Sequence, residues 1–291
     1  MPQYLIDLQS PSFTLKSRSE IGYTLPDKLY EDAALLTRSY DISNRVHDQL
    51  SYAVLSHRWG VGEPDFRTIS EMGGVTAAVS DPRYADLPGF KKLQNFCLKV
   101  QSLGFNYAWT DTCCIDKRSS AELQEALNSM YQWYDYASFC IAYLGQAETL
   151  EELAQDEWFT RGWTLQELLA PTFLVFYKKD WEPLDPENVG RGRGNSDKLS
   201  YKVAPIIEAA TGISSEFLRG FYPGDYSVKL IIEIMSWAAH RTTERPEDIA
   251  YCLLGIFNVT MPILYGEGEI AFFRLQKELI KRTPDWTVFF W

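Results

Sequence analysis

Cysteine is sparse and unpaired in this sequence. Its 291 residues hold five, Cys97, Cys113, Cys114, Cys140 and Cys252, and no C-x-x-C pair. An odd number that includes two adjacent residues does not make a disulfide framework, so reduced thiols and a cytoplasmic protein are expected. Histidine is scarcer still. His47, His57 and His240 stand far apart without ligand spacing, so no metal is expected. Positive charge is also short: 28 Lys and Arg against 39 Asp and Glu give a net charge of -11 and a pI of about 4.9. An acidic surface repels phosphate backbones and anionic headgroups, so neither nucleic acid nor membrane is expected as a partner. A local basic pocket for a small anion stays open. The longest apolar run, "IAYCLLGIFNVTMPILYG" from Ile249, is broken by Asn258, Thr260 and Pro262. It falls short of the roughly 20 residues of a membrane span and reads as a buried helix followed by a turn. The opening "MPQYLIDLQSPSFTL" has neither a basic n-region nor a long apolar h-region, so no secretory signal is expected. Internal repeats and low-complexity tracts are missing too.

What is present is a globular composition, 46% hydrophobic and 14% aromatic, enough for one large domain or two small ones. Residues 4–15 alternate weakly, as in a strand or hairpin, and 20–50 read as a connecting region. "SYAVLSHRWG" reads as a buried strand over 51–57 that carries Ser56, His57 and Arg58 at its carboxyl edge and ends at Trp59-Gly60. Residues 61–88, rich in Gly, Pro and Asp, read as a long loop. "GFKKLQNFCLKVQSLG" has helical spacing and closes on Gly104. The next strand, "FNYAWTDTCCID", places Asp111 and Asp116 beyond its apolar part. A helix follows, with Ser119 and Glu122 in a capping-box pattern. Further strands are "SFCIAYLG" and "TFLVFYKKDW". Residues 185–200 read as an exposed loop, and the last third as mostly helical.

Strands alternating with helices from 51 to 180 predict an α/β fold, a parallel sheet with helices on both faces. Ligands of such sheets bind outside the carboxyl ends of the strands, where Ser56, His57, Arg58, Asp111 and Asp116 fall. Ser56 and His57 point to opposite faces of one strand and cannot act on each other as nucleophile and base. Arg58 can grip a phosphate in two-pronged fashion, or form a fold salt bridge. Nothing nearby in sequence activates Cys113, whose ordinary reading is a buried thiol. Asp111 and Asp116 suit ribose hydroxyls, a metal, or plain turn chemistry. In "RGWTLQELLAP" Thr160 is placed to cap a helix starting near Arg161 that Pro171 stops. Trp163 and Glu167, four residues apart, then share one helix face. Spacing by itself favours a core tryptophan with a salt-bridged glutamate. An aromatic wall beside a carboxylate, suited to a flat cationic ring, is the sharper alternative.

Three blocks together, "YAVLSHRWG", "YAWTDTCCIDKRSSAELQEALNSMYQWYDYA" and "WFTRGWTLQELLAP", followed by "RPEDIAYCLLGIFNVTMPILYGEG", resemble the fungal heterokaryon-incompatibility (HET) domain, as found at the N-terminus of NLR-like incompatibility receptors. The resemblance covers nearly the whole chain from residue 50. It implies a domain that triggers programmed cell death in non-self recognition. "YAVLSHRWG" is also similar, more distantly, to the first strand of TIR domains, which have a flavodoxin-like parallel fold. "WTLQEL" resembles the TIR segment Trp-Cys-x-x-Glu-Leu, with Thr164 where cysteine is frequent.

That second resemblance implies that Glu167 is the catalytic residue of NAD+ hydrolysis. With the strand-end residues it makes Ser56, His57, Arg58, Trp59, Asp111, Asp116 and Trp163 the expected lining of a nucleotide site, with Arg58 on a phosphate and Trp163 near the nicotinamide. NAD+ is then a substrate, and no cofactor or metal is required. The expected organisation is an N-terminal strand and connecting segment (1–47), a TIR-like core (48–180) and a helical extension (181–291). The expected function is a cell-death effector that cleaves the nicotinamide–ribose bond, with self-association and NLR-type sensor domains as partners. A death-signalling module that works by self-association without catalysis is the alternative. A metal-dependent nucleotide phosphohydrolase built on Asp111 and Asp116 is weaker.

Overall fold

The computed structural model of the protein describes residues 1–21, 51–188 and 196–283. Most of the expected connecting region before residue 51, and the centre of the expected loop at 185–200, therefore lie outside the described residues. The chain divides into two compact units. The first comprises Met1–Leu55, Trp59–Lys117 and Tyr136–Ser138. The second comprises Ser56–Arg58, Arg118–Asp135 and Phe139–Trp291.

In chain order the described elements begin with β1 (Tyr4–Asp7), β2 (Thr14–Ser17) and β3 (Tyr52–His57). Helices α1 (Phe66–Met72), α2 (Val75–Ser80) and α3 (Pro88–Ser102) lead to β4 (Tyr107–Trp109). Then come α4 (Ser120–Asp135), β5 (Phe139–Tyr143), α5 (Thr164–Leu169) and β6 (Leu174–Tyr177). The rest is helical: α6 (Ala204–Thr211), α7 (Ser215–Arg219), α8 (Val228–Ala238), α9 (Asp248–Tyr251) and α10 (Ile270–Arg282).

The strands form a six-stranded sheet in the order β2-β1-β4-β3-β5-β6. This is the expected α/β class, and β3 pairs with β4, and β5 with β6, in parallel. The sheet is nevertheless mixed rather than parallel throughout. At the N-terminus, where a strand or hairpin was expected, β1 and β2 pair antiparallel, and β1 joins β4 antiparallel through Ile6↔Ala108 and Asp7↔Tyr107. All six positions of β3 are buried, which is why its sequence is a continuous apolar run rather than an alternation.

The stretch 61–88 is not a long loop. Asp65 caps α1 by accepting from the Thr68 N–H at 2.7 Å, and Gly73 closes it at φ 74°. Gly74 follows at φ 127°, where a Cβ would sit 2.2 Å from the Ser12 carbonyl oxygen. The Gly and Asp residues thus mark helix ends and a close backbone approach. The buried helix expected from Ile249 is also shorter than its apolar run. α9 is a single turn, and turns continue to Asn258. At Gly255 an added Cβ would come 2.1 Å from the Tyr131 Cβ of α4, so this segment packs by backbone proximity. Ser119 behaves as its capping pattern predicts, accepting from the Glu122 N–H at 3.3 Å.

The open edge of β6 is covered by side chains. Ser196 Oγ accepts from the Leu174 N–H at 3.1 Å, and Asp197 Oδ2 accepts from the Phe176 N–H at 2.7 Å. These bonds replace the strand that an exposed edge would otherwise recruit.

Candidate functional site

In the strand order β3 stands between β4 and β5, so the order reverses at β3. Ser56 and His57 end β3 and are 0% and 2% exposed. Ser56 donates its hydroxyl proton to Glu167 Oε2 at 2.5 Å and accepts from the Trp158 indole N–H at 2.8 Å. A one-directional chain results, Trp158 to Ser56 to Glu167. Glu167 is 3% exposed, so its carboxylate has lost most of its water and depends on such donors.

Local sequence explains how each member is held. Trp158 lies in a 3₁₀ turn, Glu157–Thr160, that Asp156 caps through its bond from the Trp158 N–H at 2.9 Å. The other oxygen of Asp156 accepts from the N–H groups of Gln146 and Ala147 at 2.8 and 2.9 Å. The Trp158 ring meets Phe159 and Phe176 edge-on. The helix of the "RGWTLQELLAP" stretch starts at Thr164 rather than near Arg161. Thr160 belongs to the preceding turn, where its hydroxyl bonds the Glu157 carbonyl at 2.9 Å instead of capping α5.

Two arginines surround this chain. Arg161 donates through Nη1 to the His57 carbonyl. Arg241 donates through Nε to the Trp237 carbonyl at 3.2 Å, and through Nη1 to the Arg161 carbonyl at 2.9 Å and Thr164 Oγ1 at 2.8 Å. Its Nη2 is buried without a hydrogen-bond partner among the described residues. Burial pushes Arg241 down to about 10, while Cys252 and Glu167 act in the opposite sense. Beside Glu167, burial and then the carboxylate charge push the Cys140 thiol far up, so it stays protonated and is no nucleophile.

The remaining predicted residues are distributed as follows. Arg58 is exposed and ion-paired with Glu157. Trp163 immediately precedes α5, and its indole bonds Asp248, whose carboxyl burial pushes up. Trp163 and Glu167 thus engage different partners. In the other unit, the Trp59 indole N–H donates to both oxygens of Asp111, at 3.1 and 2.9 Å. Lys117 Nζ lies 3.8 Å from the centre of the Trp59 ring. Asp116 is half-buried in the same unit. The Cys113 thiol is pushed far up by its contact with Cys114 and by burial, in keeping with an inert buried cysteine. Among the described residues no group of three His, Cys, Asp or Glu side chains could hold a metal ion, and no helix is long and apolar enough to cross a membrane.

The structure therefore joins Ser56 to Glu167 and Trp59 to Asp111, and gives Arg58 and Trp163 other partners. Trp158, Arg161 and Arg241 were not legible as site residues. The first two lie inside a conspicuous sequence block, but an indole that bonds a serine 102 residues away leaves no local signal. Arg241 carries none at all.

An α/β domain with a buried carboxylate drawn to the strand that reverses the sheet order is the class defined by these observations. Residues 52–153 match the family "Heterokaryon incompatibility protein (HET)", and the chain belongs to that family. Over 242 residues it is 38% identical to "Vegetative incompatibility protein HET-E-1" of Podospora anserina. That similarity covers 79% of this chain and 16% of the relative's length. No solved structure matches the chain. Ser56 falls within the family match, whereas Trp158, Glu167 and Arg241 lie beyond it.

Proposed function

We propose that this HET domain is a cell-death effector of fungal non-self recognition that cleaves the bond between nicotinamide and ribose in NAD+. The names of the family and of the relative both speak of incompatibility, which supports the cellular role. The hydrogen bond between Ser56 and Glu167 carries the chemical reading, because it sets a carboxylate against the carboxyl end of β3. Counted from β3, the core order β4-β3-β5-β6 follows the start of the flavodoxin-like 2-1-3-4-5 order, which supports the likeness to TIR domains.

In the proposed reaction the C–N bond breaks with its electron pair leaving on neutral nicotinamide. Positive charge spreads over the ribose carbon and ring oxygen, water adds at that carbon, and one proton is released to solvent. The pyridinium is already a good leaving group, so the reaction requires no metal and no further cofactor. Glu167 stabilises the developing positive charge, as carboxylates do in glycoside cleavage. Ser56 and Trp158 hold Glu167 in place. Self-association and NLR-type sensor domains are the proposed partners.

One observation favours a second reading. Glu167 is buried and engaged by Ser56, as a structural carboxylate would be in a non-catalytic module that signals by self-association. Glu167→Gln separates the two, because glutamine can still accept from Ser56 but carries no charge. The enzymatic reading expects NAD+ consumption to fall by about 10²–10³ with the melting temperature nearly kept. Unchanged killing by a folded Glu167→Gln protein leaves the signalling module standing instead.

A further inference from the structure

We propose that Arg241 is a positioning residue of this site: its guanidinium, tied to the first turn of α5, keeps Glu167 in the charged form and fixes the helix that carries it. The inference rests on the reading of Glu167 as the working carboxylate.

A carboxylate that is 3% exposed takes up a proton unless donors or a counter-charge offset its lost hydration. Ser56 supplies one donor. Thr164 and Glu167 are i and i+3 on α5, and such residues neighbour each other on one helix face. Arg241 Nη1 bonds Thr164 Oγ1 at 2.8 Å, which places the guanidinium beside that face. The same nitrogen holds the Arg161 carbonyl at 2.9 Å, so the approach to α5 is pinned as well.

The backbone fastens the two segments together. The Thr242 N–H donates to the Thr160 carbonyl at 2.7 Å, and the Gly162 N–H to the Thr242 carbonyl at 2.9 Å. Gly162 permits this contact, since a Cβ there would lie 2.6 Å from Thr243 Cγ2. Nη2 of Arg241 is buried without a hydrogen-bond partner among the described residues. A guanidinium left in that state is favoured by negative charge nearby, and Arg241 does feel the charge of Glu167.

Arg161, whose Nη1 holds the His57 carbonyl, is a second cation beside the site, and the wild-type ionisation of Glu167 draws on both arginines. Cys140 on β5 and Cys252 after α9 are neutral thiols, both pushed up by burial, Cys252 to about 12. Lys198 acts on Cys140, and burial pulls it down to about 8. Asp248 is bonded by Trp163 and Tyr265 and feels Arg245 and Arg161. His57 projects from the face of β3 opposite Ser56.

The test follows the Glu167 carboxyl carbon by NMR in the full chain with ¹³C-labelled glutamate, assigned by loss of its signal in Glu167→Gln. It is titrated in the wild type, Arg241→Gln and Arg241→Lys. We expect Glu167 to be ionised at neutral pH in the wild type and in Arg241→Lys. In Arg241→Gln we expect its midpoint to rise by about one unit or more, a tenfold gain in proton affinity. An unmoved midpoint in folded Arg241→Gln, or a protonated Glu167 in the neutral wild type, overturns the proposal. Should Arg241→Gln fail to fold, Arg241→Lys decides. Retained ionisation supports the charge role, and a full-unit rise despite the lysine refutes it. No NAD+ enters these measurements. A shifted midpoint without any NAD+ cleavage by the wild type counts against the enzymatic reading only, and cleavage with an unmoved midpoint counts against Arg241 only.

Discussion

At the scale of single residues, the site turns on a hydroxyl that serves two partners. Ser56 Oγ lies 2.8 Å from the Trp158 indole nitrogen and 2.5 Å from Glu167 Oε2. Removing it strands the buried Trp158 indole N–H and takes one donor from the buried Glu167 carboxylate, and an unsatisfied buried group costs about 1–3 kcal/mol. We therefore expect Ser56→Ala to lose at least that much in a denaturant titration, more than an ordinary serine truncation. A loss within about 0.5 kcal/mol, the range of surface substitutions, shows that the chain of donors does not hold Glu167. Ser56 and Glu167 were both legible as candidates, one from its place at a strand end and the other from the family resemblance. Their direct bond was not, because 111 residues separate them. Trp163 shows the converse: its spacing from Glu167 was correct, yet its indole turned to Asp248, which only the folded C-terminal segment brings near.

Among the elements, α5 depends on more than its six residues, too few for a helix to be stable by itself. Arg241 engages its first turn, and Lys198 donates to the Leu169 carbonyl at its last residue at 3.2 Å. Lys198 is 3% exposed, and burial pulls it from 10.5 down to about 8. The unfolded chain therefore holds this proton between roughly pH 8 and 10.5 while the folded chain has released it, so stability rises with pH across that window. We expect wild type to gain up to about 3 kcal/mol relative to Lys198→Met on going from pH 7 to 10.5. Urea titrations of both proteins at each pH cancel the titration of groups they share. A constant difference shows that Lys198 keeps an ordinary affinity for its proton. The elements themselves were largely legible: the strands, α3, α4 and the helical last third follow from periodicity. The misread stretch 61–88 failed for a physical reason, since the Gly and Asp residues that mark loops also cap short helices.

For the whole molecule, a net charge of -11 opposes anionic partners wherever no basic pocket intervenes. At about 0.15 M salt we expect no co-sedimentation with phosphatidylserine vesicles and no retention of duplex DNA, since the Debye length of ~8 Å leaves near-surface repulsion in force. Saturable vesicle binding reveals a cationic face that the overall balance conceals.

Composition, strand–helix alternation and a few long motifs were enough to determine the α/β class, the HET resemblance and Glu167 as a candidate. These depend on local periodicity and on residue types at short spacing, which the chain carries whatever its tertiary contacts. Tertiary structure decided the rest. It set the antiparallel pairing of β1 with β4, the capture of Glu167 by Ser56, the pairing of Trp163 with Asp248 and of Arg58 with Glu157, and the place of Arg241 against α5. Each is a pairing made by the folded chain and absent from local spacing. Buried polar groups take whichever partner the packing delivers, and no short-range pattern encodes that choice.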